Sequence, residues 1–176
     1  RALSLLIIDD NASVRAMLED WCAAQGWHSR SAGSGAAGLA LLRSHADGAD
    51  GMPAADIVLL DAAMPGMDGI SMLTQARAGE HAPLPPVIML VADQDSENLE
   101  RLADSLMLAG IVAKPATPAR LLAAVTAVRD GRNGRNAPPA LPVSTPLSGL
   151  LAGMRVLLVE DNEINQEVAQ YILLHS

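Results

Sequence analysis

Short apolar runs recur along this chain, each followed by a stretch whose apolar residues fall at helical spacing. Leu3 to Ile8 is the first run and reads as a buried strand. Val14, Met17, Leu18, Trp21 and Gln25 then keep a helical period, which predicts a helix over Ser13 to Gln25 closed by Gly26. Trp27 to Ala32 is a weaker strand, and Ala36 to Ser44 is helical. Asp47 to Ala55, rich in Gly, Asp and Pro, reads as a surface loop. The alternation continues with Ile57 to Leu60 (strand), Ser71 to Ala78 (helix), Val87 to Val91 (strand) and Glu97 to Leu106 (helix). Ile111 to Ala113 is the fifth strand, and Ala119 to Arg129 is the last helix. Such alternation implies an α/β fold, a parallel sheet covered on both faces by helices. Right-handed crossovers bring the C-terminal ends of all strands to one edge. Ligands of open sheets bind at that edge, where the strand order reverses.

Composition narrows what can be built on this frame. Half of the 176 residues are apolar but only 2% are aromatic, with no Phe, so the core falls to Leu, Ile, Val, Met and Ala. The formal net charge of −8 argues against nucleic acid as a direct partner, because phosphate backbones are bound by clustered Lys and Arg. No apolar run approaches the roughly 18 residues of a membrane span, and no basic-then-apolar leader opens the chain, so no direct membrane contact is expected. The lone Cys22 falls in a helical pattern and reads as a buried structural thiol, consistent with a reducing, cytoplasmic setting. The start at Arg1 rather than Met suggests a piece of a longer protein.

Residues 1–130 form the expected domain. The texture then changes: Gly131, Gly134, Pro138, Pro139, Pro142 and Pro146 punctuate a stretch with little periodicity, so 131–153 reads as a linker. Beyond it, Arg155 to Val159 followed by Glu160, Asp161 and Asn162 repeats Leu5 to Ile8 followed by Asp9, Asp10 and Asn11. Ile164, Val168, Tyr171 and Ile172 continue the repeat as one helical face. Residues 154–176 thus read as the first strand and helix of a second, truncated copy. A single strand and helix cannot bury their apolar faces alone, so pairing with a second copy of the chain through this tail is the expected outlet.

The chemistry-bearing residues gather at the predicted strand ends. Asp9 and Asp10 follow the first strand, Asp61 the third and Lys114 the fifth. Carboxylates brought together repel, by about 4 kcal/mol for a pair 4 Å apart at an effective dielectric of ~20. Such a cluster needs a cation or must take up protons. An all-oxygen donor set without His or Cys selects a hard ion, magnesium above all. A carboxylate nucleophile, a divalent cation and a fixed ammonium suit phosphoryl transfer.

Leu6-Ile7-Ile8-Asp9-Asp10-Asn11, the stretch from Val58 through Asp61 and Met64-Pro65-Gly66 to Gly69, and Ala113-Lys114-Pro115 resemble the three signatures of response-regulator receiver domains. The resemblance spans Leu3 to about Asp130. It implies a flavodoxin-like, doubly wound five-stranded sheet of order 2-1-3-4-5 flanked by five helices. It further implies Asp61 as phosphoacceptor and magnesium ligand, Asp10 as a direct ligand, Asp9 as a ligand through water, and the Ala63 backbone carbonyl as another. Lys114 would pair with the phosphoryl group or the acceptor carboxylate, aimed by a cis bond to Pro115. The second start at Val156 is similar to the last receiver of hybrid sensor histidine kinases, which implies an adjacent receiver in a multidomain, membrane-anchored parent. No ATP-binding boxes of a kinase core occur, and His28, His45, His81 and His175 lie in no phosphotransfer-like pattern. The phosphoryl donor is then a phosphohistidine-bearing kinase or phosphotransfer domain elsewhere, and the chain itself at most catalyses its own phosphorylation and dephosphorylation.

Two positions depart from the family pattern. Val91 stands where a Ser or Thr hydroxyl usually bonds the phosphoryl group, and Ile111 where a Tyr or Phe usually swings with it. Val keeps the shape of Thr and loses its hydroxyl. One reading is a domain that accepts phosphate but switches atypically. The other is a pseudo-receiver, a non-catalytic docking or regulatory module. A phosphohydrolase of the haloacid dehalogenase type is disfavoured because its paired acids lie two residues apart, whereas Asp9 and Asp10 are adjacent. A flavodoxin is disfavoured because the first loop lacks a hydroxyl- and Gly-rich phosphate cradle.

Overall fold

A computed structural model of the chain describes residues 2–46, 54–78, 84–92 and 95–131. The expected linker beyond Gly131, the truncated repeat with its pairing role, and His81 and His175 lie outside the described residues. Five strands and five helices alternate: β1 (Ser4–Ile8), α1 (Ala12–Ala24), β2 (His28–Ala32), α2 (Gly35–Ala46), β3 (Ile57–Asp61), α3 (Gly69–Ala78), β4 (Val87–Ala92), α4 (Ser96–Leu102), β5 (Gly110–Lys114) and α5 (Pro118–Arg129). The strands form one sheet in the order β2-β1-β3-β4-β5. Every pairing is parallel. This is the flavodoxin-like arrangement, and its order reverses between β1 and β3.

Strands β1 and β3 are buried along their whole length, as continuous Leu, Ile and Val runs between two helical layers require. Their side chains alternate between two cores. Leu6, Ile8, Val58, Leu60, Met89 and Val91 face the layer that holds Met72 and Leu73 of α3 and Leu99 of α4. Leu5, Ile7, Leu59, Ile88 and Leu90 face Leu18, Trp21 and Cys22 of α1 and Leu121 and Val125 of α5. Each fully buried Leu or Ile contributes about 1.5–3 kcal/mol over its exposed state, so these aliphatic layers replace an aromatic core. Cys22 is fully buried, and burial pushes its thiol up to about 11. A packing role is what remains for it. Trp21 meets Trp27 edge to face, with ring centroids 5.3 Å apart.

Helix ends follow local chemistry. The Asn11 side chain caps α1 by accepting from the N–H groups of Ser13 and Val14 at 2.9 and 3.3 Å. Thr117 caps α5, whose first residue is Pro118. Gly26 takes the left-handed conformation after α1, with φ +72°. The fourth helix differs from expectation: it ends at Leu102, not Leu106. The chain turns there through Met107, a non-Gly residue at φ 42°. The Ser105 hydroxyl donates to the Leu102 carbonyl at 2.7 Å, and Arg77 of α3 donates to the carbonyls of Leu106 and Met107. Backbone bonds run on through the turn, from the Leu106 N–H to Leu102 and from the Leu108 N–H to Ala103, both at 2.9 Å, and the side chains add further donors to its carbonyls.

Candidate functional site

The C-terminal ends of β1, β3 and β5 bring together residues a hundred positions apart. Ile8, the last residue of β1, pairs with Leu60 of β3, so Asp9 and Asp61 emerge side by side. Lys114 is the last residue of β5, two strands away from Asp61 across β4. Its ammonium nitrogen lies 2.8 Å from Asp61 Oδ2 and 3.7 Å from Asp9 Oδ2. One carboxylate oxygen from each of Asp9, Asp10 and Asp61 fits within 4.8 Å of the others. Of the three acids, Asp9 and Asp61 are buried and Asp10 is exposed. The Lys114–Pro115 peptide is cis.

Each buried acid is held by the loop it opens. Asp9 Oδ1 accepts the Asn11 N–H at 2.8 Å, and Asp61 Oδ1 accepts the Ala63 N–H at 3.1 Å. The second oxygen of Asp61 takes the Lys114 ammonium. The second oxygen of Asp9 is buried and has no hydrogen bond. Burial raises the pKa of Asp9; the Asn11 hydrogen bond opposes this, the Asp61 charge adds to it, Lys114 opposes it and Asp10 adds to it. A buried oxygen lacking a donor, beside two further carboxylates, is a mismatch that a hard cation resolves. The residues present therefore fit a magnesium ion.

After Asp61 the chain runs through Pro65 and Gly66, which takes φ +78°, into α3. That helix starts against the strand end itself. A Cβ at Gly69 would overlap the Asp61 carbonyl oxygen and lie 3.1 Å from Ala62 Cα. Gly69 thus allows α3 to begin where the loop after Asp61 closes.

Val91 is buried in β4, its Cα paired with Ala113 beside Lys114. Ile111 is half-buried and packs against the same core cluster as Val91. His28 is exposed at the N-terminal end of the edge strand β2, opposite the C-terminal edge that holds the acids.

Two polar residues shape the site without having been singled out from the sequence. Asn11 supplies both the N–H on Asp9 and the cap of α1. Its signal is a helix-capping residue directly before an amphipathic pattern. Arg15 returns from α1 to the Asp9 and Asp10 carbonyls, at 2.7 and 3.0 Å from Nη1. Its only trace in the sequence is a cation near a helix N-terminus, where the helix dipole disfavours one.

Comparison with known proteins agrees with this geometry. The sequence profile of the response regulator receiver domain matches residues 5–126. The chain is 39% identical over 93 residues to the regulatory protein AtoC of Escherichia coli, covering 53% of this chain and 18% of that protein. It is 30% identical over 128 residues to the transcriptional regulatory protein GltR of Pseudomonas aeruginosa, covering 70% and 48%. It is 32% identical over 127 residues to the DNA-binding response regulator MtrA of Mycobacterium tuberculosis, covering 70% and 49%. The chain thus spans half or less of the length of these relatives. Among solved structures, chemotaxis protein CheY4 of Vibrio cholerae superposes with a TM-score of 0.62 at 23% identity, covering 73% of this chain and 99% of that one. A receiver domain from Clostridium thermocellum gives 0.60 at 22% identity, covering 76% and 94%. At such identities these superpositions establish the fold alone, and the profile match carries the kinship. A parallel sheet of order 2-1-3-4-5 with three acids and a lysine at its switch edge, matched over most of its length by that profile, makes this chain a member of the response regulator receiver domain family, the phosphoacceptor modules of two-component signalling.

Proposed function

We propose that Asp61 accepts a phosphoryl group from a phosphohistidine on a kinase or phosphotransfer domain. The convergence of Asp9, Asp10, Asp61 and Lys114 at one strand edge carries this reading. A carboxylate oxygen of Asp61 attacks phosphorus in line. The P–N bond to the imidazole breaks, its electron pair stays on the ring nitrogen, and an acyl phosphate remains on Asp61. Lys114, already on Asp61 Oδ2, shifts its charge to the transferred oxygens and offsets the added negative charge. Asp9, Asp10, Asp61 and the backbone carbonyl of Ala63 would hold magnesium, which when bound neutralises charge on the phosphoryl oxygens. Asp61→Asn abolishes labelling by acetyl phosphate with magnesium in this reading. Undiminished labelling of that variant refutes it.

Val91 offers no hydroxyl to the phosphoryl group and Ile111 no aromatic ring, so output by the family's usual hydroxyl-to-aromatic coupling is not available to this chain. Those two positions favour atypical switching, and they also favour the second reading, a pseudo-receiver that docks without accepting phosphate. Labelling of the wild type separates the two. The repeat at 154–176 supports a parent with tandem receivers, of the hybrid histidine kinase kind, in which 1–130 is one receiver and 131–153 the linker. No described helix is long and apolar enough to cross a membrane. We place this domain in the cytoplasm because phosphohistidine donors are made from ATP there.

A further inference from the structure

We propose that Arg15 is a positioning residue for the divalent cation, its guanidinium fixing the main chain of Asp9 and Asp10 so that both carboxylates face the same point. The inference rests on the magnesium-binding reading above and assigns a residue outside the acidic set to it. Arg15 stands at the end of the first turn of α1, half-buried, where a helix dipole repels a cation. It stays there because its Nη1 donates to two successive carbonyls, Asp9 at 2.7 Å and Asp10 at 3.0 Å. The same group lies against the next loop: a Cβ at Gly33 would be 3.2 Å from Nη1 and 3.3 Å from the guanidinium carbon. Arg15 therefore braces the loop after β1 against the loop after β2.

The brace matters most for Asp10. Asp9 and Asp61 are buried, so packing and loop hydrogen bonds aim them. Asp10 is exposed, and packing does not aim it. Anchoring the carbonyls on either side of the Asp10 Cα sets the two peptide planes from which the Asp10 side chain projects. Magnesium tolerates little deviation from octahedral geometry, so slack in that dipeptide weakens binding directly.

Positioning and plain electrostatics predict opposite signs. If Arg15 acts only as a nearby positive charge, removing it tightens binding of a cation. If it acts by holding carbonyls, removing it loosens binding. The test is titration of the full chain with magnesium chloride, followed by the Asn11 and Ala63 amide NMR shifts, well below the unfolding midpoint. Under those conditions a mere loss of stability leaves the Kd unmoved. Arg15→Gln is expected to raise the Kd roughly tenfold. Arg15→Lys, which keeps the charge but stops one bond short, is expected to raise it by less. An unchanged or tighter Kd in Arg15→Gln overturns the inference. Should that variant not fold, wild-type affinity in Arg15→Lys overturns it instead. A wild type that binds no magnesium overturns the site reading and the inference together, whereas binding that is indifferent to Arg15 overturns the inference alone.

Discussion

Asp9 is the most frustrated residue among those described. One oxygen is satisfied by Asn11, the other has only Lys114 at 3.7 Å, and burial with two neighbouring acids favours the protonated form. Its folded-state pKa therefore lies above its unfolded value. Between those two values the folded state binds more protons, so Asp9 withdraws stability from the metal-free protein as pH rises through the folded pKa. Asp9→Asn keeps an acceptor for Asn11 and removes the charge. Metal-free melts should show this variant a few degrees more stable than wild type at neutral pH, with the gap closing as the pH falls toward the ordinary Asp value. Val91 poses the converse case. Val91→Thr adds a hydroxyl that the unphosphorylated core leaves without need, and that a phosphoryl group on Asp61 can use for about 1.5–3 kcal/mol. The expected outcome is a longer-lived phosphorylated form, read from the decay of radiolabel. An unaltered decay would separate the end of β4 from the phosphoryl group. Asp9, Asp10, Asp61 and Lys114 were readable as a set because each ends an apolar run. Asn11 and Arg15 were not, because a capping residue and a cation near a helix N-terminus mark a helix end and do not show which loop groups they hold.

Helices and strands were readable where a long apolar face repeats, as in α1, or where β-branched and Leu residues crowd together, as in β1 and β3. The misjudged element was α4. Its apolar residues run on to Leu106 at helical spacing, but the last of them pack from a turn whose carbonyls are taken by Arg77 and Ser105. A donor from another helix, 29 residues away in sequence, holds the turn that follows α4, and local spacing cannot report it. The start of α3 raises the opposite issue, an approach so close that only glycine fits. Gly69→Ala sets a methyl group into the Asp61 carbonyl, and its neighbours there are backbone, so α3 itself must move. Overpacking of this kind costs roughly 1–3 kcal/mol. Denaturant unfolding should register that loss. Acetyl phosphate labelling should slow with it, since the displaced helix drags the acceptor loop.

The molecule as a whole places β1 and β5 three positions apart in the sheet, with β3 and β4 between them. The parallel order followed from family resemblance and from the alternation of elements, and with it the expectation of Lys114 beside Asp61, while its approach to Asp9 as well, at 3.7 Å, is seen only in the folded chain. Labelling of Asp61 and far-UV circular dichroism should fall together along one denaturant transition. Labelling that outlasts the dichroism would mean that part of the sheet suffices. Lys114 lies on the last of the described strands, β5, and so is made after the three acids. A chain still missing that strand carries Asp61 without the ammonium that balances it. On the proposed reading, the charge balance of the site is therefore completed only when β5 joins the sheet, and copies that lack β5 would stay mute.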